Sequence, residues 1–388
     1  MLKYKRSSLC LSVFQFISSH ALNFKRIVMT HHALHRPFAP AIISADFKTY
    51  PTDFIVKELM TVDFSGQGEH LWVHVCKVGM NTAFVTKLLA GWADIAMRDV
   101  GYSGLKDRHA QTYQWFSLRL PKRGMPALEF DEFVKNHLKE GESLTLIAHH
   151  WHDKKLHRGT HKANAFTITL RQVAGEMSAI NAQLTHIKQA GVPNYFGEQR
   201  FGRDGDNINQ AKAFFEKILS SAKPYKPFKK DMDKHSLYVS SARSMLFNAL
   251  LGERVRLGCW NKAVTGDVFN LDGTGSIFCA DIDDEIIRRV SEQDIHPTAP
   301  LFGVGEPKNT DESLRIYQAV LAQDEFELIK NGLLKVGVKL AQRPLRLRVH
   351  GLNWQWHDDS LTLDFELPTG SFATSVLFAL CENLVENR

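Results

Sequence analysis

Leu345-Arg346-Leu347-Arg348-Val349, a His357-Asp358-Asp359 turn, and Leu361-Thr362-Leu363-Asp364-Phe365-Glu366-Leu367 decide how the fold is read. Apolar and polar residues alternate through both runs, the period of a half-buried strand, so together they read as a β-hairpin. After Pro368 and Gly370, a helix capped at Ser371 should carry Val376, Ala379, Leu380 and Leu384 inward. The same strand-rich texture fills the first half of the chain, in Phe54 to Glu58, Leu71 to Lys77, Tyr113 to Leu120 and Ala165 to Leu170. Two helices interrupt it. One is capped by Asn81 and Thr82 ahead of Phe84, Val85, Leu88 and Leu89, and the other runs from about Glu176 to Ala190, stopping before Gly191 and Pro193.

Between these arms the period is helical, in Ile208 to Leu219, Ser240 to Leu257, Asp284 to Ser291 and Asp311 to Asn331. Strand texture bracketing a helical middle implies one α+β domain interrupted by an inserted one. The length agrees, since 388 residues exceed what one hydrophobic core organises.

Hydrophobic residues at 44% and charged residues at 23% place the chain among ordinary globular proteins. Lys and Arg number 48 against 42 Asp and Glu, with 18 His besides, so binding to a polyanion is permitted without being required. The five cysteines, Cys10, Cys76, Cys259, Cys279 and Cys381, are odd in number and contain no CxxC pair, which argues against a disulfide framework or a zinc site and for a reducing cytoplasm. No apolar run approaches the roughly 18 residues of a membrane span. The nearest, Leu9 to Ile17 behind Lys3, Lys5 and Arg6, faintly resembles a signal peptide without a small-residue cleavage site. Residues 1–40 are therefore expected to be an N-terminal extension, either disordered or an over-long reading frame whose true start is Met29.

Chemistry is suggested first by Gly101-Tyr102-Ser103-Gly104-Leu105-Lys106-Asp107-Arg108-His109, where a carboxylate sits between two cations on a glycine-punctuated loop. The cations would favour the anion, and the glycines would admit close approach of a ligand. By spacing alone a surface turn with a local ion pair is the better explanation of the loop. The run His149 to Lys162 supplies five histidines and four Lys or Arg against one acid, a composition that suits phosphate or a solvated loop better than a metal. Lys223 to His235 alternates lysines with Pro and aromatic residues and reads as an extended linker. Phe54 and Phe372 each follow a polar residue at an element edge, and Phe166 lies two positions after Asn164. They read either as core or, with Asn164, as the stacking faces and amide that hold an unstacked base. Phosphate-loop, dinucleotide, zinc-deaminase and nucleophile-elbow motifs are absent, which leaves cofactor-free chemistry by one carboxylate.

Taken in order, seven stretches resemble the D family of tRNA pseudouridine synthases (TruD). They are Pro51 to Glu58, Gly68-Glu69-His70, Gly104 to Asp107, Asn164-Ala165-Phe166, Val192 to Gly202, Ser241 to Ser244 and Pro368 to Ser375. The resemblance implies a V-shaped, two-domain molecule. A pseudouridine-synthase catalytic domain with a mixed or antiparallel sheet would be built from residues 41–190 and 347–388, with an inserted α/β TRUD domain over 191–346. It implies isomerisation of uridine 13 of tRNA to pseudouridine, with no metal or organic cofactor, no membrane and no protein partner, and a monomer as the simpler state. Asp107 would be the nucleophile, with Lys48 as first choice of cation partner and Lys106 as second. Phe54, Asn164, Phe166 and Phe372 would bind the flipped nucleotide. Two alternatives stay open: an RNA-binding protein of the same fold without the chemistry, and a glycosidase, which would need a second carboxylate about 5 to 10 Å from Asp107.

Overall fold

A computed structural model of the protein describes residues 34–121, 124–202 and 205–386. Cys10, the Leu9 to Ile17 run and Met29 lie outside the described residues. The N-terminal arm supplies β1 (Ile42–Phe47), β2 (Phe54–Leu59), β3 (His70–Val78), β4 (Val100–Tyr102), β5 (Gln111–Arg119), β6 (Ser143–His152) and β7 (Ala163–Ala174). The middle of the chain supplies β8 (Val192–Pro193), β9 (Val268–Leu271), β10 (Ile277–Cys279), β11 (Ile295–Leu301), β12 (Ala341–Pro344) and β13 (Arg346–Leu347), and the C-terminal arm β14 (His350–His357), β15 (Ser360–Pro368) and β16 (Cys381–Glu386). Helices α1 (Thr82–Trp92), α2 (Phe130–Lys135) and α3 (Met177–Ala190) belong to the first arm. Helices α4 (Asp206–Leu219), α5 (Met232–Arg256), α6 (Asp284–Ser291), α7 (Asp311–Leu321) and α8 (Glu327–Val336) belong to the middle, and α9 (Ala373–Leu380) to the last arm.

Both arms share one mixed sheet in the order β14-β15-β7-β2-β5-β3-β6, with β1 joining β7 and β16, and β4 joining β5. β15 lies antiparallel to β7 from Leu361↔Leu170 to Pro368↔Ala163, so the C-terminal arm is stitched into a sheet begun by the N-terminal one. Alternation places Phe54 and Val56 of β2 and Phe166, Ile168 and Leu170 of β7 in one core, covered by Ile180 and Leu184 of α3 and Val376 and Leu380 of α9. A second core covers the other end of the sheet, where Leu71, Val73 and Val75 of β3 meet Val85 and Leu89 of α1. Residues 34–40 are packed: Arg36 donates to the carbonyls of Phe378 and Cys381, Tyr195 Oη donates to the His35 carbonyl at 3.0 Å, and the Phe38 ring meets His186 edge-on.

The middle segment has its own core around Phe215, Leu246, Phe247, Leu250 and Leu333, and its own sheet in the order β10-β9-β11-β12. Gly332 of α8 lies so close to α4 that a Cβ there would come within 2.2 Å of the Phe215 ring. Chain entry and exit are tied by the two-stranded β8–β13 pair, with Arg346 opposite Pro193.

Four expectations need correction. The helix expected from Ser371 through Leu384 is shorter: α9 follows Phe372 with no side-chain cap and ends at Leu380, because the chain passes directly into β16, where Leu384 pairs with Ala45. The hairpin partner of the Leu361 run is β14, not Leu345 to Val349. That earlier run passes between two cores, Leu345 facing the middle one and Leu347 and Val349 the sheet, and Arg346 is also buried, donating to His296 Nδ1 at 2.9 Å and to the carbonyls of Val290 and Ile295. Its alternation therefore reflects burial on two sides. The helix expected over Asp311 to Asn331 is two helices divided by the Asp324–Phe326 turn, because Phe326 is fully buried and lets α7 follow α5 while α8 follows α4. The end of the Lys223 to His235 linker is helical, since α5 starts at Met232.

Arg254 and Asp267 form an ion pair with no exposed surface, at 2.9 Å, and Asp267 also accepts from Ser313 Oγ and the Val264 amide. Removing one partner strands a buried charge. Asp267→Ala should lower the unfolding free energy by about 3–5 kcal/mol in urea titrations. Arg288→Ala, which breaks exposed helix pairs with Glu285 and Glu292, should cost less than about 1 kcal/mol.

Candidate active site

Four inward-facing strand rows turn polar near one end of the sheet. Phe54 and Val56 are followed by Glu58; Leu71, Val73 and Val75 by Lys77; Phe116 and Leu118 are preceded by Thr112 and Gln114; and Phe166, Ile168 and Leu170 by Asn164. All these polar residues are buried, and Glu58 lies directly opposite Asn164 across the ladder. Isolated polar groups at such depth are costly, so they must meet one another or a ligand.

The loop between β4 and β5 lies over this end and is pinned from several directions. The Lys106 amide donates to Thr82 Oγ1 at 2.9 Å, Gln114 Nε2 donates to the Gly104 carbonyl at 2.7 Å, and Lys77 Nζ donates to the Asp107 carbonyl at 2.8 Å. A Cβ on Gly101 would fall 2.3 Å from the Leu156 carbonyl oxygen, so only glycine permits the loop to enter here. Burial pushes Lys77 down to about 8, a shift that nearby Asp107 opposes. Asp107 is thereby presented rather than left to wander. Its Oδ1 accepts from the His109 amide at 3.0 Å, and its Oδ2 lies 2.5 Å from Lys48 Nζ.

Lys48 follows directly on β1 and is held at φ 59°, a left-handed conformation that few residues other than glycine adopt. Its ammonium is only 3% exposed as a side chain and lies 4.5 Å from the Phe54 ring centroid and 5.0 Å from that of Phe47. β16, parallel to β1 with Glu386 opposite Phe47, brings a second carboxylate to 3.8 Å from the same ammonium. Phe54 is set by the preceding turn. Asp53 accepts from the Tyr50 amide at 2.9 Å and takes a forked pair of bonds from Arg171 at 2.8 and 3.0 Å.

Lys106 turns away from Asp107. Its ammonium bonds Glu58 at 3.0 Å and Asn164 Oδ1 at 2.6 Å, while Glu58 also accepts from the Trp115 amide. Burial lowers Lys106 and raises Glu58, and in each case the partner resists the shift. The Asn164 amide nitrogen faces His161 Nε2 at 3.3 Å, and His161 Nδ1 meets Ser103 Oγ at 2.5 Å. Burial, with Lys106 adding to it, drives His161 down to about 4.

The structure thus brings Lys48 against both Asp107 and Phe54, with Phe166 at 6.1 Å from Phe54, while Asn164 is held by Lys106. Phe372 stands apart: its ring meets Phe196 edge-on at 6.0 Å and lies 5.8 Å from the Arg200 guanidinium. In the His149 to Lys162 run, His149 to His152 end β6, with His150 stacked on Phe64 at 4.4 Å, and His161 is buried beside Ser103. Among the described residues, no group of three or more His, Cys, Asp or Glu side chains is placed to hold a metal ion. No described helix is long and apolar enough to cross a membrane. Sequence reading missed Lys77, Glu58, His161 and Glu386. The first two were signalled by a charge ending an inward apolar row.

The sequence model of the family described as "tRNA pseudouridine synthase D (TruD)" matches residues 41–209 and 229–379. The chain belongs to this family. Among curated TruD relatives, the tRNA pseudouridine synthase D of Psychrobacter arcticus is 44% identical over 381 residues, covering 91% of this chain and 94% of that one. That of Xanthomonas oryzae pv. oryzae is 41% identical over 356 residues, covering 90% and 94%. A solved TruD chain from Methanosarcina mazei superimposes with a TM-score of 0.64 over 89% of this chain and 95% of that one, and at 20% identity it speaks for the TruD fold alone.

His161 gives the TruD site a measurable acid limit. Its folded pKa of about 4 lies below the ordinary 6.5, so between those values the unfolded chain binds a proton that the folded chain refuses. Stability from this residue is complete above pH 6.5 and should drain away as pH falls toward 4, by at most about 3 kcal/mol. Urea melts at pH 7 and pH 4.5 should show a smaller loss for His161→Gln than for the natural chain, and equal losses would refute the assignment.

Proposed function

We propose that this protein isomerises uridine 13 of tRNA to pseudouridine, with Asp107 as nucleophile. The observation that carries the reading is the contact between the Asp107 carboxylate and the buried Lys48 ammonium over the Phe54 ring. Few arrangements other than a reaction centre call for a lysine in a left-handed backbone, enclosed by aromatic rings, against a carboxylate one fifth exposed.

In this reading the catalytic unit comprises residues 41–190 and 347–388, and residues 191–346 are the inserted TRUD domain. A flipped uridine would lie over Phe54 and Phe166, with Asn164 and Phe372 as further contacts. Asp107 would attack the uracil ring or the sugar C1′. The bond between C1′ and N1 breaks, the uracil turns, C5 joins C1′, and the proton on C5 leaves as the adduct is released. Lys48 would keep the carboxylate anionic before attack and steady it again on release. Aromatic faces suit a base that must rotate while free, since stacking tolerates rotation better than directional hydrogen bonds do. The reaction as written requires no metal or organic cofactor, and the setting proposed is a cytoplasmic monomer acting on tRNA.

A glycosidase reading meets a specific difficulty. Glu386 does supply a second carboxylate, but both it and Asp107 close on one ammonium, whereas a glycosidase keeps one of its two carboxyls protonated.

Asp107→Ala should abolish tritium release from 5-tritiated uridine in tRNA while leaving tRNA affinity within about twofold. Undiminished release would falsify Asp107 as nucleophile. Lys48→Met should lower kcat by about a hundredfold or more with little change in KM, because the ammonium acts on the reacting group.

A further inference from the structure

A second cluster of charge lies where the middle segment meets Phe372. The Arg343 guanidinium lies 4.0 Å from the Phe196 ring centroid and 5.4 Å from that of Phe247. The Arg200 guanidinium is 5.4 Å from the same Phe196 ring and 5.8 Å from that of Phe372. Two like charges thus share one aromatic ring. Burial depresses both arginines, Arg343 to about 9, and Arg200 contributes to the shift on Arg343.

No carboxylate of the described residues pairs with either of them. Arg343 donates only to neutral oxygens, at Asn194 Oδ1 (2.7 Å), the Asn194 carbonyl (3.4 Å) and the Gly370 carbonyl (3.3 Å), and Arg200 donates to Ser240 Oγ at 2.9 Å. The Nε of each is buried with no acceptor. Glu198, two residues from Arg200, does not pair with it, and its own Oε1 is buried and unpartnered. Arg254, by contrast, faces Asp267; Arg346 and Arg243 also meet only neutral acceptors, but neither shares an aromatic ring with a second guanidinium as Arg200 and Arg343 do. Buried guanidiniums without a counter-charge are costly, and the cost is relieved when an anion arrives.

The cluster is linked to the Lys48–Asp107 pair through neighbouring residues. Gly197, which begins the turn carrying Glu198 and Arg200, lies against Thr374 two residues beyond Phe372, so closely that a Cβ would sit 2.6 Å from Thr374 Oγ1. Glu386, which touches Lys48, is near enough to Glu198 to raise it further.

We propose that Arg200 and Arg343 form an anion subsite that takes one phosphodiester of the RNA strand next to the target nucleotide, fixing the backbone while the base is turned out. The subsite rests on the reading of an RNA substrate. Planar guanidiniums held on aromatic faces present forked N–H groups that match the two free oxygens of a phosphodiester. A free phosphate ion offers the same oxygens, so the test must tell the two apart. The roles are positional, since neither arginine touches the bond being broken.

The test uses the full chain and substrate tRNA carrying a single neutral methylphosphonate at successive linkages around the target uridine. For the natural chain, one such linkage should weaken equilibrium binding by about tenfold, as expected for loss of one charge-assisted contact. Arg200→Gln should weaken binding of unmodified tRNA by a similar factor, and the penalty from that one linkage should then vanish. This coupling is not produced by general damage to the fold. Arg343→Gln should behave alike, and Arg200→Gln, at the more exposed residue, decides the matter if Arg343→Gln melts early. Equal methylphosphonate penalties in the natural chain and in Arg200→Gln would overturn the subsite while leaving the RNA substrate standing. The same holds if 10 mM inorganic phosphate weakens binding of unmodified and modified tRNA alike and no linkage is singled out. Failure of the natural chain to bind any tRNA would overturn both readings.

Discussion

An ammonium enclosed by phenylalanine rings must have an anion within reach, and in this protein that requirement organises the site. Coulomb attraction between Lys48 and Asp107 at 2.5 Å is strong because little water competes, yet it only offsets what both groups lose by leaving water. The arrangement holds because the surroundings leave it little alternative. β1 ends in a left-handed residue that aims the lysine inward, and the loop carrying Asp107 is tied by Thr82, Gln114 and Lys77. β16 then adds Glu386 beside the same ammonium. Such over-determined geometry leaves the carboxylate little freedom to move.

Around that pair the sheet changes character in a graded way. Its interior is apolar until the rows reach Glu58, Lys77, Gln114 and Asn164, of which Lys77 and Gln114 hold carbonyls of the Asp107 loop while Glu58 and Asn164 share the Lys106 ammonium. Lys106 links two of them, and His161 with Ser103 closes the network behind Asn164. Bonds from several sides stiffen such a network and fix the orientation of the Asn164 amide.

Much of this could be read before the fold was known, and the reasons for the rest are physical. The two strand-rich arms, the Asn81 cap and the ends of α6 follow from local rules of periodicity and capping, and the structure has each where those rules place it. Lys48, a cation near Asp107 in neither sequence nor element, lies against it in the fold. By contrast, Leu345 to Val349 alternates like an edge strand but crosses between two cores, a tertiary circumstance with the same sequence signature. The break between α7 and α8 is set by the burial of Phe326, which no window of helical residues discloses. Glu386 lies 338 positions after Lys48 and meets it only because β16 happens to run beside β1. The buried Lys77 is legible in the sequence as the fourth member of an inward row begun by Leu71, Val73 and Val75.

The pairing of β1 with β16, and of β7 with β15, has a consequence for how the molecule comes into being. A ribosome releases the strands up to β7, then the whole middle segment, and only afterwards β14 to β16. Until then the growing chain exposes the open flank of β7, an unpaired edge of the kind that invites aggregation, and Lys48 waits for Glu386. The middle segment, which can close on its own core meanwhile, holds the two halves by the β8–β13 clasp and shortens the search that the last strands must make. Order of synthesis therefore makes the surroundings of Lys48 one of the last parts of this protein to be completed.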